Sequence, residues 1–424
     1  MAGEAIHATV APRAAFQHRD FRRYVASWSL ANLGEQMLGV AVGWQVYAIT
    51  HRAIDLGYVG LVQFVPAFGL SLLAGSVADR VDRRRLVAVC NLALAACALA
   101  LAAIAAYRLE TVAPIYAVLF LVGVARAFDA PAGQALVPEI VAPQHFPNAV
   151  SWTSTAWQAS TIVGPVAGGL LYGVAGDATW VYAACAALHT SASLLALSLR
   201  PRPSAADKKA MTWSEVLAGL HFVRAHPLIL ESVSLDLFAV LLGGATALLP
   251  IFASDVLHVG PRGLGALRSA PAVGAAAMAV ALAYRPLTRR AGPILLACVA
   301  TFGLATIVFG LSRNFGLSLA SLVVLGASDM VSVVLRATVV QLRTPHQMRG
   351  RVSAVSMMFI TASSDLGGLE SGVTAAWWGA VPAVVVGGFG TLVVVAMYTF
   401  WFRTLRGMDR LDEAGLDFAR GATP

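Results

Sequence analysis

Long apolar runs recur along almost the whole chain, and they constrain the fold more than any other feature. Each is long enough to cross a hydrocarbon core of about 30 Å, which takes roughly 20 residues of helix. The runs of the first part cover 24–49, 56–78, 85–107, 113–134, 148–175 and 178–199. Those of the second part cover 228–252, 263–285, 292–312, 315–341, 352–375 and 380–402. Because backbone polar groups in lipid must be satisfied internally, these runs predict an all-α membrane protein with twelve transmembrane helices.

Composition and missing motifs exclude most enzyme classes. Of 424 residues only 12% are charged and 58% are hydrophobic, whereas soluble domains have about 25% charged residues. The sequence contains neither a Gly-x-x-x-x-Gly-Lys-Ser/Thr phosphate loop nor a Gly-x-Ser-x-Gly or His-Glu-x-x-His motif, so we expect no ATP hydrolysis and no enzyme activity. The four cysteines lie in apolar runs without metal-type spacing, and we expect no cofactor or metal.

The polar stretches divide the chain into five parts. We predict a cytoplasmic arm over 1–22, a six-helix half over 23–199, a cytoplasmic linker over 200–227, a second six-helix half over 228–402 and a cytoplasmic tail over 403–424. Within the linker, residues 211–225 have apolar residues near helical spacing but are too short to span, so they predict a helix on the membrane interface.

The distribution of positive charge indicates orientation. The net charge of +8 could suggest nucleic acid as a partner, but 23 of the 30 Lys and Arg residues lie in the termini, the linker and alternate connections. By the positive-inside rule, both termini and the linker are then cytoplasmic. We expect a multi-pass protein of the bacterial plasma membrane, without a cleaved signal peptide, that is a monomer and binds no nucleic acid.

The two halves resemble one another at an offset of about 203 residues. This offset aligns Gly123 to Arg126 of the fourth run with Gly326 to Asp329 of the tenth, and Gly164-Pro165 with Gly367-Gly368. Transporters built from parallel repeats have their site between the halves near the midplane.

The connection between the second and third runs is short and densely charged. It has the pattern Gly-x-x-x-Asp-Arg-x-x-Arg-Arg, formed by Gly75, Asp79, Arg80, Arg83 and Arg84. This pattern resembles the loop signature of the major facilitator superfamily, except for Asp82, where the family usually has Gly. We expect the charged loop to act as a gating latch through contacts with neighbouring helix ends.

The fifth run contains a second resemblance. Gly164, Pro165, Gly168 and Gly169 form a Gly-Pro-x-x-Gly-Gly stretch that resembles the antiporter motif of exporting members of the superfamily. Its glycines allow close helix approach and its proline bends the run, so a purely structural helix crossing is the alternative interpretation.

Ionisable residues inside the runs are the candidate functional residues, because an unpaired charge in lipid is costly. Glu35 lies about 16 Å into the first helix at 1.5 Å per residue, which is close to the midplane. Its carboxyl group is predicted to bind a proton or substrate, or alternatively to pack against a neighbouring hydroxyl group.

Arg126 and Asp129 share one face of the fourth helix. Arg126-x-x-Asp129 resembles the fourth-helix motif of the superfamily. This resemblance implies a role for the arginine in proton coupling. A local ion pair between the two is also possible from this spacing.

The second half has its own candidates, namely Asp236, Asp329, Arg336 and Asp365. Asp329 and Arg336 lie two turns apart on one face, and the repeat places Asp329 at the depth of Arg126. We therefore hypothesise that Arg126 and Asp329 face each other between the halves. Asp365 is a midplane candidate, Asp236 is either a cavity or a packing residue, and Arg268 is expected near the outer end of its helix with its head at the interface.

Further segments identify the branch that the chain resembles. Phe128 to Pro138, Thr344 to Ala354 and Leu217 to Pro227 are similar to bacterial enterobactin exporters and macrolide-efflux-like proteins. The resemblance implies a secondary transporter that exports a small organic molecule, a siderophore or a drug, in exchange for protons. A proton-coupled importer of a small metabolite and a transport-inactive membrane sensor are the alternatives.

Overall fold

The computed structural model describes residues 13–200, 213–285, 287, 289–345 and 348–402, and these are almost entirely helical. Most of the predicted arm, part of the linker and the predicted tail over 403–424 lie outside the described residues. The helices of the first half are α1 (Arg19–Thr50), α2 (Ala53–Arg80), α3 (Arg83–Ala106), α4 (Ala113–Ile140), α5 (Phe146–Ala175) and α6 (Ala178–Leu197). They are followed by α7 (Trp213–Ala225), α8 (Pro227–Leu242), the short α9 (Leu249–Ile251), α10 (Gly260–Tyr284), α11 (Ala291–Leu311), α12 (Phe315–Arg343), α13 (Arg349–Trp378) and α14 (Ala380–Trp401).

Ten segments of the described chain are long and apolar enough to span a membrane, one of which joins α8 and α9 as Pro227–Val256. Helices α1 and α5 are 32 and 30 residues long but fall outside this set. Polar residues explain the difference, because α1 contains Asn32, Glu35, Gln36 and Gln45 in its middle. The predicted all-α membrane fold is confirmed, and its twelve spans agree with these helices.

Helices α8 and α9 form one span that is interrupted in its middle. The α-helical pattern ends at Leu242, a 3-10 turn covers Ala245–Leu248, and a π-helical turn covers Phe252–Val256. Gly243 and Gly244 stand at the break, where the ring of Phe302 and the backbone of Gly367 leave no room for a side chain. The interruption frees backbone groups in the centre of the molecule, a form of irregularity that membrane proteins tolerate where it lines a cavity.

The halves meet along two helix pairs, α5 with α10 and α2 with α13. We call the end of the bundle where α1 begins and α14 ends the terminal side, and the opposite end the distal side. Near the distal side the pairs are in backbone contact: a Cβ on Gly169 would lie 2.9 Å from the Cα of Gly265, and one on Gly372 would lie 3.1 Å from the Cα of Gly57.

Five hydrogen bonds join described residues of the two halves, and they lie between mid-bundle and the distal side. Gln158 donates to the carbonyl of Ala272 at 2.8 Å and Ser269 to that of Ile162 at 2.7 Å, both near mid-bundle. The other three lie at or beyond this level toward the distal side, and they join Arg262 to Gly173, Arg268 to Gly39, and Tyr47 to Asp255. At the terminal side of α2, by contrast, nothing lies within 4 Å of a Cβ built on Gly69 or Gly75. The halves are therefore joined mainly at the distal side.

Helix α7 occupies the place of the predicted linker helix. It packs against α13 and α8, and a Cβ on Gly219 would lie 2.8 Å from the carbonyl oxygen of Arg351. Its first turn lies outside the described side chains, so its membrane contact stays a prediction.

Candidate functional site

A central cavity of about 270 Å³ lies between the two halves. Helices α1, α2, α3, α4 and α6 line one side of it, and the interrupted span with α10 and α13 lines the other. Its polar lining consists of Glu35, Gln36, Gln63, Arg126, His189, Thr246, Arg268, Ser364 and Asp365. The break between α8 and α9 places Thr246, Ala247 and Pro250 at the wall, so the irregular backbone does line a cavity.

Glu35 and Arg126 form an ion pair inside this cavity. The Nη2 atom of Arg126 lies 2.6 Å from Oε1 of Glu35, and its Nη1 atom donates to Gln63 at 3.4 Å. The side chains of Arg126 and Glu35 are 45% and 36% exposed, so cavity water or a ligand can reach the pair. This contact joins α1 to α4 within the first half.

Two further charged residues enter the cavity from the second half. Arg268 on α10 donates to the carbonyl of Gly39, and the missing side chain of Gly39 makes room for the guanidinium group. Among the described residues, neither Arg268 nor Asp365 has an ion-pair partner within 4 Å. The expectation that Arg268 lies with its head at the outer interface is wrong, because the distal ends of α5 and α10 are packed together and its side chain turns inward to α1.

A hydrogen-bonded network extends from the cavity into the first half. Asn91 on α3 donates to Asp129 at 3.1 Å, and its Oδ1 lies 3.1 Å from Nδ1 of His189 on α6. Asp129 makes no ion pair with Arg126 within 4 Å among the described contacts, so the local pair that the spacing allowed is not formed. Sequence reasoning missed His189, because a lone histidine in an apolar run carries no spacing signal, and its partner Asn91 is 98 residues away.

A separate cluster away from the cavity consists of Asp236 on α8 with Asp329 and Arg336 on α12. Asp236 and Arg336 are an ion pair with side chains only 8% and 6% exposed, and Ser332 lies 3.5 Å from Asp236. Asp329 lines a void of about 10 Å³ beside this pair. The hypothesis that Arg126 and Asp329 face each other is wrong, because Arg126 pairs with Glu35 at the central cavity and Asp329 lines a separate void within the second half.

Of the seven predicted cavity residues, the structure therefore brings three to the central cavity and leaves four outside it. Glu35, Arg126 and Asp365 line the cavity. The four outside are Asp129, Asp236, Asp329 and Arg336. Asp236 is a packing residue of the second half, as one of the two interpretations of the sequence had it.

The charged loop connects helix ends of the first half. Arg83 pairs with Glu139 at the end of α4 and donates to the carbonyl of Ala78 at 3.2 Å. Arg84 donates to the carbonyl of Leu199 at 2.9 Å, just beyond α6. Arg80 is exposed, Gly75 has open space around it, and the side chain of Asp79 lies outside the described residues.

Asp82, which departs from the superfamily signature, has a local structural role. Its side chain accepts hydrogen bonds from the backbone N–H groups of Arg84 and Arg85 at 3.0 and 3.4 Å. These are the contacts of a helix N-cap, so Asp82 begins α3 at a position where the superfamily usually has glycine.

The Gly-Pro-x-x-Gly-Gly stretch lies where α5 crosses two helices. Gly164 contacts Gln36 of α1, and a Cβ on Gly168 would lie 3.0 Å from the Cα of Met37. Gly169 and the carbonyl of Pro165 face Gly265 of α10. The motif therefore brings α5 against α1 inside its own half and against α10 of the other half.

Known proteins share this architecture. Residues 10–420 match the model of a family described as transmembrane secretion effector. The chain belongs to this family, within the major facilitator superfamily. It is 27% identical over 372 residues to proteins named enterobactin exporter from Shigella boydii serotype 18 and Escherichia coli O139:H28, covering 86% of this chain and 87% of each relative.

Solved structures of other transporters share this fold. A bacterial homologue of the human lysosomal transporter Spinster, in an inward-facing and occupied conformation, superposes with a TM-score of 0.72 at 14% identity, over 91% of this chain and 96% of that one. The nucleoside transporter NupG superposes with a TM-score of 0.68 at 14% identity, over 90% and 98% of the two chains. The predicted superfamily and fold are confirmed, and the chain is a membrane transporter of small molecules.

Proposed function

We propose that the protein exports a small organic molecule from the bacterial cytoplasm in exchange for protons. The observation that carries the proposal is the Glu35–Arg126 ion pair, which lies in a cavity between the halves and is accessible from it. The relatives named enterobactin exporter support the direction of transport. The positive-inside distribution of Lys and Arg supports a cytoplasmic terminal side, and in that orientation the distal contacts separate the cavity from the outside.

The charges that line the cavity support proton coupling. Glu35 and Asp365 are the only acids among its described lining residues, and they belong to opposite halves. A proton on Glu35 removes its charge and with it the strong attraction for Arg126. Asp365 is the other acid of the described lining and belongs to the second half, so loss of the Glu35 charge weakens the attraction of Arg126 to its own half relative to the other half. An equilibrium between two arrangements of the halves changes only through such a differential interaction.

The substrate we favour carries an anionic group. Arg268 has a backbone carbonyl as its hydrogen-bond acceptor and no carboxylate within 4 Å among the described residues. A guanidinium group in a site of low dielectric gains strongly from an anionic partner with oxygen acceptors. Catecholate siderophores fulfil this requirement, whereas lipophilic cations do not.

Inverted membrane vesicles with an imposed pH gradient test the function. Catecholate siderophores, macrolides and lipophilic cations are added in turn, and a fluorescent dye reports proton movement. We expect proton movement with the catecholates, its loss in Glu35→Gln, and its retention in the matched control Glu370→Gln, because Glu370 bonds to Thr374 outside the cavity lining.

Other outcomes would change the assignment. Retained proton movement in Glu35→Gln would remove Glu35 as the coupling acid. Uptake of a metabolite in the opposite direction would make the protein an importer. Silence with every compound in folded protein would favour the sensor without transport.

A further inference from the structure

The network of Asn91, His189 and Asp129 determines which nitrogen atom of His189 carries its proton. Both Asn91 and His189 are almost fully buried, with exposures of 1% and 2%. Hydrogen bonds inside the protein therefore determine their orientation, with no competition from bulk water.

The amide of Asn91 can have only one orientation in this environment. Its nitrogen atom lies 3.0 Å from the carbonyl oxygen of Val87 and 3.1 Å from Oδ1 of Asp129. A backbone carbonyl and a carboxylate are acceptors, so the Asn91 group that faces them must be the NH₂ donor. The Oδ1 atom of Asn91 then faces His189 and can only accept.

The tautomer of neutral His189 follows directly. Its Nδ1 atom lies 3.1 Å from Oδ1 of Asn91 and must donate, which leaves Nε2 as an unprotonated acceptor. Nε2 faces α1 at Gly34, the residue that precedes Glu35: a Cβ on Gly34 would lie 3.2 Å from it, and both His189 and Glu35 line the cavity. Glycine at position 34 allows the imidazole ring to approach α1 this closely.

We propose that His189 is a positioning residue for proton coupling, whose Nε2 atom accepts a hydrogen bond from the protonated carboxyl group of Glu35. This inference rests on the proposed function of Glu35 as the coupling acid. An ionised carboxylate has no hydrogen to donate and pairs with Arg126, whereas a protonated carboxyl group donates one hydrogen bond. The locked tautomer therefore provides a partner for Glu35 only after Glu35 has bound its proton.

The other charged groups around Glu35 do not provide this acceptor. Arg126 on α4 and Arg268 on α10 are donors only. Asp129 on α4 is engaged by Asn91, and Asp365 on α13 belongs to the opposite half. His189 on α6 is thus a neutral acceptor that lies within the same half as Glu35 and beside its helix.

Nuclear magnetic resonance of the full chain tests the tautomer. The nine histidines are labelled with ¹⁵N in lipid nanodiscs at neutral pH, and the His189 signals are those lost in His189→Leu. We expect a proton on Nδ1 and none on Nε2 in the wild type, and a mixture of tautomers in Asn91→Leu. A proton on Nε2 in the wild type would overturn the proposal.

Infrared spectroscopy tests the contact with Glu35. At acidic pH, the C=O band of protonated Glu35 is the band that disappears in Glu35→Gln. We expect this band at lower frequency in the wild type than in His189→Leu, because donating a hydrogen bond weakens the C=O bond. His189→Gln restores the lower frequency, since an amide can donate to Asn91 and still offer an oxygen atom to Glu35.

The control is His258→Leu, which changes an exposed histidine at the distal side and should leave the band in place. An identical band in the wild type and His189→Leu would overturn the contact. Absence of any Glu35 band at acidic pH would overturn it as well, together with the role of Glu35 in the proposed function. If both spectra agree with the proposal but no proton movement accompanies transport, the contact between His189 and Glu35 stands, while the proposed function and with it the coupling role of His189 fail.

Discussion

The two halves each contain an acid paired with an arginine, but the pairs differ in what surrounds them. The Glu35–Arg126 pair lies at the central cavity with side chains 36% and 45% exposed, whereas the Asp236–Arg336 pair is sealed between α8 and α12 at 8% and 6%. In an accessible pair the carboxylate can bind a proton, and either charged group can bind a ligand in place of its partner. A sealed pair has no alternative partner, and losing one member leaves an uncompensated buried charge. The same chemistry is therefore suited to coupling in the first half and to structure in the second.

Breaking the sealed pair should have the largest effect on stability. Removing one charge as Asp236→Leu should lower the free energy of unfolding by about 3–5 kcal/mol, because Arg336 stays buried without a partner. The double variant Asp236→Leu/Arg336→Leu should recover most of this loss, since no buried charge remains. Thermal unfolding of purified protein, followed by tryptophan fluorescence, measures both. Equal stability of the single variant and the wild type would contradict the structural role.

The accessible pair should show the opposite behaviour. Glu35→Gln should abolish proton-coupled transport yet change the free energy of unfolding by no more than about 1 kcal/mol, the range of solvent-exposed ion pairs. Vesicle transport and unfolding of the same preparation provide the two readouts. A loss of stability as large as that of Asp236→Leu would remove the distinction between the halves.

Arg268 tests whether the cavity recognises an anion. Arg268→Gln should weaken binding of an anionic substrate by roughly 10- to 100-fold, since a hydrogen bond to a charged group contributes about 1.5–3 kcal/mol. Arg262→Gln on the same helix is the matched control, because Arg262 is exposed and bonds to Gly173 outside the cavity. Binding is measured by tryptophan quenching in detergent. Equal affinity in Arg268→Gln and the wild type would exclude anion recognition by Arg268.

Asp329 should give the smallest effect. It lies beside the sealed pair, without an ion pair of its own within 4 Å among the described residues. Asp329→Asn keeps its shape, so we expect transport close to that of the wild type and an unfolding free energy within about 1 kcal/mol. Asp365→Asn, from the same half but at the cavity, should impair transport. Transport loss in Asp329→Asn would show that the residues beside the sealed pair also take part in coupling.

The fold could be predicted from the sequence because a lipid-spanning helix is marked by the length of its apolar run, which is a local property of the chain. The sequence did not predict the break at Gly243, since the apolar run continues through 252 and the space around this glycine is occupied by Phe302 from another helix. Depth along a run directed attention to Glu35, which does line the central cavity. Depth alone failed for Asp329, because it does not specify which face of a helix turns toward the cavity.

The remaining site residues depend on contacts between distant parts of the chain. Arg268 is placed by Gly39, 229 positions away, and His189 by Asn91, 98 positions away. Neither pair has a spacing that a single sequence reveals. The repeat offset of about 203 residues was misleading at one point, because it aligned Arg126 with Asp329 although their surroundings differ.

The hydrogen bonds between the halves have a consequence for the energy of any rearrangement of one half against the other. Five hydrogen bonds between described residues join the halves, and four of them end on backbone carbonyl groups. At about 1 kcal/mol net for each, they hold the closed arrangement by about 5 kcal/mol. A preference of about 5 kcal/mol corresponds to a population ratio of roughly 4,000 to one, since every 1.4 kcal/mol is a factor of ten. These bonds are thus few enough for the differential binding of a ligand to compete with them, and numerous enough to favour the arrangement that the structure shows.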